Sequence, residues 1–487
     1  MPLLVQVRTR TALAVGSGTT LFYLAFLSPV IYAIDGISML AVTESLLTHG
    51  SVAVPKALGI EGLGGFYYSK WYPLLSFLVL PQVALGMTLA HLMHLPPHFM
   101  AGSFALILPP VLIGATTSVV VMLAARLGAS QRGSIVAAIG FAFGTVALVY
   151  AREFFAEPLL ALITAVAIYH ELGNQRERKM VAIWAALAVL AKPTGVILGP
   201  VLATHAVLRD RSVRSAVAPL VGMTTGLGIY FFYNYIRFGE VLTFGMSGAY
   251  GLLNLPAGAA GLLASPGRGL IWYCPVVLAL AGLSARLWKR LDVLPIVLVA
   301  LGYLGIYGVW SDWTGGWCWG PRYLLPALPG LMALCGLLEG QWRKLLVVLT
   351  ILAFVVNAPT LVSYYQRLYA EELAAQEEPD LWSLSRAPFV RIWGSTWREI
   401  GDARRTDVRL MVQHAGEGDN SEASSERTFR IVAVWWWMLP MAHIPRAVGA
   451  AVAALLALTG LGLIWWTWHW PENSAGSCYL ARPPESP

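Results

Sequence analysis

Ten ionisable residues lie beside the ends of apolar stretches, where a charge is cheap only if hydrated or paired and where some are ordinary loop charges: Asp35, Glu44, Glu61, Lys70, Arg152, Glu153, Glu157, Arg268, Asp312 and Arg322. Asp35 immediately follows the first apolar block, in Tyr32-Ala-Ile-Asp35-Gly-Ile-Ser. Two readings of it are open. It is an N-cap for a helix from Gly36 to Leu47, or a general base at the mouth of a membrane cavity that accepts a hydroxyl proton. Tyr150-Ala-Arg-Glu153-Phe-Phe-Ala-Glu157-Pro places two carboxylates four residues apart. A helix start before proline, where the macrodipole favours an acid, accounts for Glu157 better than for Glu153.

The basic members point to an anion. Arg268 in Ser265-Pro-Gly-Arg-Gly and Arg322 in Trp319-Gly-Pro-Arg-Tyr each lie among small residues that leave a guanidinium accessible. Arginine suits bidentate phosphate binding. Lys70 sits among aromatics in Tyr67-Tyr68-Ser-Lys70-Trp-Tyr-Pro73-Leu74, where interfacial snorkelling is the simpler alternative. The run Trp310-Ser-Asp-Trp313-Thr-Gly-Gly-Trp317-Cys-Trp-Gly320 reads partly as an aromatic belt and partly as a surface for stacking sugar rings or lipid. Tyr68, Trp313 and Trp317 are accordingly candidates for a substrate groove. His49, His91, His94 and His98 have no recognised ligand spacing and read as interfacial histidines. A divalent cation would fit phosphate chemistry, but the sequence identifies no ligands for one.

The elements that must position these residues are membrane helices. Of 487 residues, 57% are hydrophobic and 12% are charged, half the roughly 25% of a soluble domain. Apolar blocks of about 20 residues recur, the length that crosses a hydrocarbon core. The net charge of +7 is spread in short clusters between these blocks, which marks topology and not nucleic-acid binding. The four cysteines, Cys274, Cys318, Cys335 and Cys478, show neither a disulfide nor a zinc pattern. The stretch after Arg8 and Arg10 is too long for a signal-peptide core and reads as a retained helix.

The block 73–93 decides the topology. Counted as a span, it puts Arg126, Arg132 and the Arg176 to Lys179 cluster outside. Taken as a membrane-surface or re-entrant element, it brings these clusters, and those at Arg209 to Arg214, Arg286 to Arg290 and Arg343 to Lys344, to the cytoplasmic side. The expected fold is thus an all-α polytopic membrane protein of about 12 spans, near 12–33, 99–125, 133–150, 158–172, 180–191, 194–208, 215–236, 269–288, 293–310, 323–340, 345–364 and 446–468. Surface helices lie in the first outer loop. The ten rim residues then share the non-cytoplasmic side. Three parts are expected: a catalytic module over 1–364, a non-cytoplasmic appendage over 365–445 with candidate strands at 407–412 and 428–434, and a last helix with a cytoplasmic tail over 446–487. Trp435-Trp436-Trp437 reads as an interfacial anchor.

A first span closed by an acid, a Lys70-x-x-Pro73-Leu74 element before a surface helix, a second acidic outer loop and later Gly/Pro/Arg loops resemble the GT-C superfamily of glycosyltransferases, with protein O-mannosyltransferase and aminoarabinose transferase-like members nearest. The resemblance covers about residues 1–365. It implies an active-site role for Asp35, an acid of the second outer loop at Glu157 or Glu153 where relatives use Asp, and donor-phosphate binding at Lys70. The expected activity is inverting transfer of a hexose or pentose from a polyprenyl-phosphate donor to a hydroxyl of a glycan, lipid or protein. Asp35 would act as base, with Lys70, Arg268 and Arg322 on the phosphate. The expected location is a bacterial inner membrane, with the site facing the periplasm. A lipid-linked sugar flippase and an oligosaccharide polymerase or ligase are the alternatives. The unmatched tail is left for acceptor choice.

Overall fold

The computed structural model describes residues 2–243, 248–376, 380–403 and 432–470. Helices dominate it. Five are long and apolar enough to cross a membrane: Pro97–Leu127, Val213–Phe238, Leu291–Gly308, Gly340–Leu361 and Arg446–Trp468. The first expected span is met by the 24-residue helix Pro2–Ala25, and the others by shorter or interrupted helices among the described residues. Prolines explain two of the interruptions, because each removes a backbone donor and disfavours helix just before it. The expected span 269–288 is a short helix Leu270–Tyr273, a 3-10 stretch Pro275–Gly282 and a further short helix Ala285–Trp288. The expected span 323–340 opens as a 3-10 turn, Arg322–Ala327, and becomes α-helical only over Leu328–Cys335.

The block 73–93 forms two helices, Pro73–Leu78 and Leu80–Met93. Fourteen residues rise only about 21 Å, too little for a hydrocarbon core of about 30 Å.

The first helix, Pro2–Ala25, is clasped on two sides through glycine. A Cβ on Gly16 would lie 2.5 Å from the Gly114 carbonyl oxygen, and one on Gly18 the same distance from that of Gly460. Small residues bring helix backbones together where lipid gives little hydrophobic drive for association. The end of this helix, just before Asp35, is thereby fixed against two others.

The charged loops sort to two ends. Helix Ala156–Glu171 carries Glu157 in its first turn and Glu171 at its close, about 20 Å apart along the axis. Around the Glu171 end, Arg209 and His205 reach its carboxylate at 2.9 and 2.8 Å, Arg178 pairs with Asp210 at 2.6 Å, and Arg126 with Glu177 at 2.8 Å. Arg290 donates to the Leu127 carbonyl at 2.8 Å. Basic loops far apart in the chain thus meet at one end, and the candidate site lies at the other.

The segment after 364 is not wholly apart from the rest. Helix Gln366–Ala374 follows, and Pro388–Ala403 buries Ile392 and Glu399. Glu399 accepts from the Ser363 hydroxyl and from the Tyr364 amide. Ala433 donates to Val362 at 2.9 Å and Trp435 to Leu27 at 2.8 Å. Trp435, Trp436 and Trp437 are half-buried against the helices. The candidate strand 407–412 lies outside the described residues, as does 428–431. The strand pair present among the described residues is in the first outer loop, Ile60–Glu61 antiparallel to Tyr67–Tyr68.

Candidate active site

Asp35 is not an N-cap. Its helix, Ile34–His49, begins one residue earlier, and Ala33 in the cap position supplies no side-chain bond. The carboxylate is instead directed across the molecule. Gly36 permits this by close approach, since a Cβ there would lie 2.8 Å from the Phe154 carbonyl oxygen. The helix start is thereby seated on the loop that carries Glu153 and Glu157.

Arg322 is what Asp35 meets. Its Nη1 donates to Asp35 Oδ2 at 3.2 Å, and its Nε lies 3.8 Å from Glu157 Oε1. Gly320, at φ +56°, turns the chain just before it in a conformation that favours glycine, and a Cβ at that position would also run into the Tyr273 ring. The guanidinium rests between the rings of Phe155 and Tyr323, at 4.7 and 5.0 Å.

A second cation completes the floor. Lys192 Nζ donates to Glu157 Oε1 at 2.7 Å, and both side chains are buried. Lys192 also faces the Tyr323 ring at 4.6 Å, which stacks on Tyr307 at 4.1 Å. In the sequence, Lys192-Pro193 falls between the expected spans 180–191 and 194–208, as a break between two short helices. The signal was present, because Lys192 is the single charge within the apolar stretch 180–208 and sits beside the helix-ending proline. Glu157, Lys192, Arg322 and Asp35 form a continuous chain of alternating charge.

Lys192→Met should lower stability by about 3 kcal/mol, because it leaves the buried Glu157 without its closest partner. The double variant with Glu157→Gln should recover much of that loss. Thermal unfolding of the purified single and double variants checks this, and equal midpoints would mean the pair carries no such coupling.

Above this floor opens a cavity of about 460 Å³, within the range of roughly 300–1,000 Å³ usual for small-ligand sites. Asp35, Lys70, Arg322, Asp312, Trp317 and Gln366 line it, together with Tyr32, Trp71, Phe155 and Tyr323. Lys70 lies 5.0 Å from the Trp71 ring and forms no ion pair among the described residues. Asp35, Lys70, Arg322 and Trp317 are therefore brought together as expected. Glu157 sits just below them, in a recess shared with Asp35 and Lys192.

Other expected residues fall elsewhere. Arg268 does not line the cavity. Its Nε donates to Thr314 O at 2.9 Å, Nη2 to Gly316 O at 2.8 Å, and Nη1 to Gly267 O at 2.9 Å and the Tyr369 hydroxyl at 2.5 Å. With its donors turned to three backbone carbonyls and the Tyr369 hydroxyl, it holds the 312–317 loop from behind. Glu153 also lies off the cavity. It is buried and accepts from Gln366 Nε2 at 3.2 Å, and burial raises its carboxyl to about 7 despite that bond and the nearby arginines. Trp313 packs on Gly261, and Tyr68 pairs in the small sheet with its ring near Phe238, so neither joins the groove. Among the described residues, no three His, Cys, Asp or Glu side chains converge as a metal site requires. Asp35 and Glu157 already face Arg322 and Lys192.

Comparison with known families bears on this geometry. Residues 89–233 match the model of the dolichyl-phosphate-mannose-protein mannosyltransferase family. The match supports a GT-C superfamily glycosyltransferase. It spans Glu153, Glu157 and Lys192 and stops short of Asp35, Lys70 and Arg322. Two solved structures are similar over most of the chain. Apo ArnT from Cupriavidus metallidurans is 14% identical, with 91% of this chain and 75% of that one covered and a TM-score of 0.48. The same protein bound to undecaprenyl phosphate is 16% identical, with 95% and 77% covered and a TM-score of 0.48. No curated protein matches.

Proposed function

We propose that this protein is an inverting membrane glycosyltransferase that moves a sugar from a polyprenyl-phosphate donor to an acceptor hydroxyl, at a site facing the non-cytoplasmic side of a bacterial inner membrane. One observation carries the reading: a single cavity is lined by a carboxylate, Asp35, and by two cations, Lys70 and Arg322. The matched family model, whose description names a dolichyl-phosphate-linked mannose, agrees with a lipid-phosphate donor. The gathering of basic loops at the opposite end of the helices supports the orientation.

In this mechanism the acceptor oxygen attacks the anomeric carbon, and its proton passes to Asp35. Arg322 binds Oδ2 and leaves Oδ1 for the hydroxyl. The bond from the anomeric carbon to the phosphate oxygen breaks, and its electron pair leaves with the polyprenyl phosphate. Lys70 and Arg322 stabilise the charge that develops there. Glu157 and Lys192 keep the Arg322 guanidinium in place from below, so the positive field needs little rearrangement during reaction. Glycan, lipid and protein hydroxyls all fit as acceptors.

The test is to incubate the purified protein in lipid with undecaprenyl-phosphate pentoses and hexoses and a cell-envelope extract. Release of undecaprenyl phosphate together with a new glycosidic bond is the expected result. Movement of donor across the bilayer without a new bond would replace the enzyme reading with the flippase one. With donor and acceptor supplied externally, right-side-out spheroplasts should be active, and activity confined to inside-out vesicles, which expose the cytoplasmic face, would reverse the assignment.

A further inference from the structure

The cavity is chemically two-sided, and only one side is used by the mechanism above. Lys70 and Arg322 supply positive charge. Across from these groups in kind, Asp312 and Gln366 supply hydrogen-bond acceptors that the described residues leave largely unused. Asp312 accepts from the Thr314 hydroxyl at 3.2 Å and has no ion-pair partner among the described residues. Gln366 is 3% exposed, and its Oε1 has no hydrogen-bond partner among the described residues. A buried acceptor without a donor is costly unless a ligand supplies one.

The Gln366 amide is also held by its other end. Its Nε2 donates to Glu153 Oε1 at 3.2 Å, and Glu153 is itself buried and fixed in the short loop 151–155. That bond engages the amide nitrogen, and the end left over is the acceptor Oε1. Trp317, 46% exposed, lines the same cavity and stacks on Tyr369 with rings 25° from parallel. An aromatic face beside two acceptors suits a sugar ring, which offers C–H surface on one face and hydroxyl hydrogens at its edge. A phosphate would be repelled by Asp312 and attracted to Lys70 and Arg322.

Building on the glycosyltransferase reading, we propose that Gln366, oriented by Glu153, accepts a hydrogen bond from one hydroxyl of the transferred sugar, and that Asp312 accepts from another, so that these two residues set donor-sugar specificity. Glu153 is then a positioning residue, acting through the Gln366 amide. The role falls on a residue beyond 364, in the part of the chain that the sequence left for acceptor choice.

The test compares wild type, Gln366→Leu and Asp312→Ala on whichever undecaprenyl-phosphate sugar the wild type transfers, and on its monodeoxy forms. Gln366→Leu should lower kcat/KM for the parent donor by about tenfold or more, because a polar site loses its match to the substrate hydroxyl. For one monodeoxy donor the same substitution should change kcat/KM by less than about twofold, since the interaction is already gone. Asp312→Ala should show this pattern with a different deoxy position. A substitution that merely disturbs the fold would reduce all donors equally, and that result overturns the proposal. Should Gln366→Leu not fold, wild type alone decides, because at least two monodeoxy donors must be poor substrates and uniform rates across the series would refute the assignment. A wild type that transfers no sugar from any donor of the panel fails the glycosyltransferase reading itself, and this inference falls with it.

Discussion

Asp35→Asn should reduce sugar transfer by about 10²–10⁴-fold, the contribution of a well-placed general base, while donor binding stays within about twofold of wild type. Asparagine keeps an oxygen that can accept from Arg322 Nη1, as Asp35 Oδ2 does at 3.2 Å. It also keeps nearly the same shape at the helix start. What it loses is the ability to take a proton. Because the Ile34–His49 helix uses no side-chain cap, the substitution removes no cap and should leave folding nearly intact. Single-turnover transfer and equilibrium binding of undecaprenyl phosphate separate the two effects. Near wild-type turnover by Asp35→Asn would place the base elsewhere.

Arg322→Ala should damage both rate and donor affinity, because one guanidinium serves three partners. It pairs with Asp35, lies 3.8 Å from Glu157, and faces the cavity where the phosphate would sit. Removing a preorganised donor from a developing charge typically costs about 10²–10³ in rate, and donor affinity should fall with it. Arg322→Lys should recover part of the loss, since the charge returns without the planar fork that reaches both carboxylates. Arg268→Ala provides the contrast. Its guanidinium is spent on Thr314, Gly316, Gly267 and Tyr369, so the first effect should be a lower thermal midpoint through a loosened 312–317 loop. Undecaprenyl phosphate binding measured on both folded variants decides the matter. A selective loss of affinity in Arg268→Ala at unchanged stability would restore that residue to the phosphate site, and unchanged affinity in Arg322→Ala would remove the clamp altogether.

The properties legible in the amino-acid order are those set by local composition. Low charge and repeated apolar blocks place the chain in a membrane. The failure of the charge count around 73–93 identifies a stretch that forms two short helices and not one span. The rim acids and bases could be assigned to one side because the positive-inside rule acts loop by loop. Helix continuity was less legible. At 269–288 and 323–340 the apolar length is sufficient, but Pro275, Pro326 and Pro329 divide the backbone into 3-10 and α segments.

Which rim charges meet is a different kind of fact. Asp35 and Arg322 are 287 positions apart, and Glu153 and Gln366 are 213 apart. No local pattern relates them. Their pairing depends on how the helices carrying them cross, which in turn depends on contacts such as Gly16 with Gly114 and Gly36 with Phe154. The tertiary structure alone distinguished Glu157, which joins the charged floor, from Glu153, which turns away to hold Gln366. It likewise separated Arg322 in the cavity from Arg268 behind the loop, although both stand among the same small residues in sequence. It brought Lys192 from a helix break to the carboxylate of Glu157. The sequence determined that charges would stand at the ends of apolar blocks, because solvation of each loop is local. The choice of partners fell to the packing, because a buried charge is stable only beside an opposite one, and only the folded chain decides which one is near.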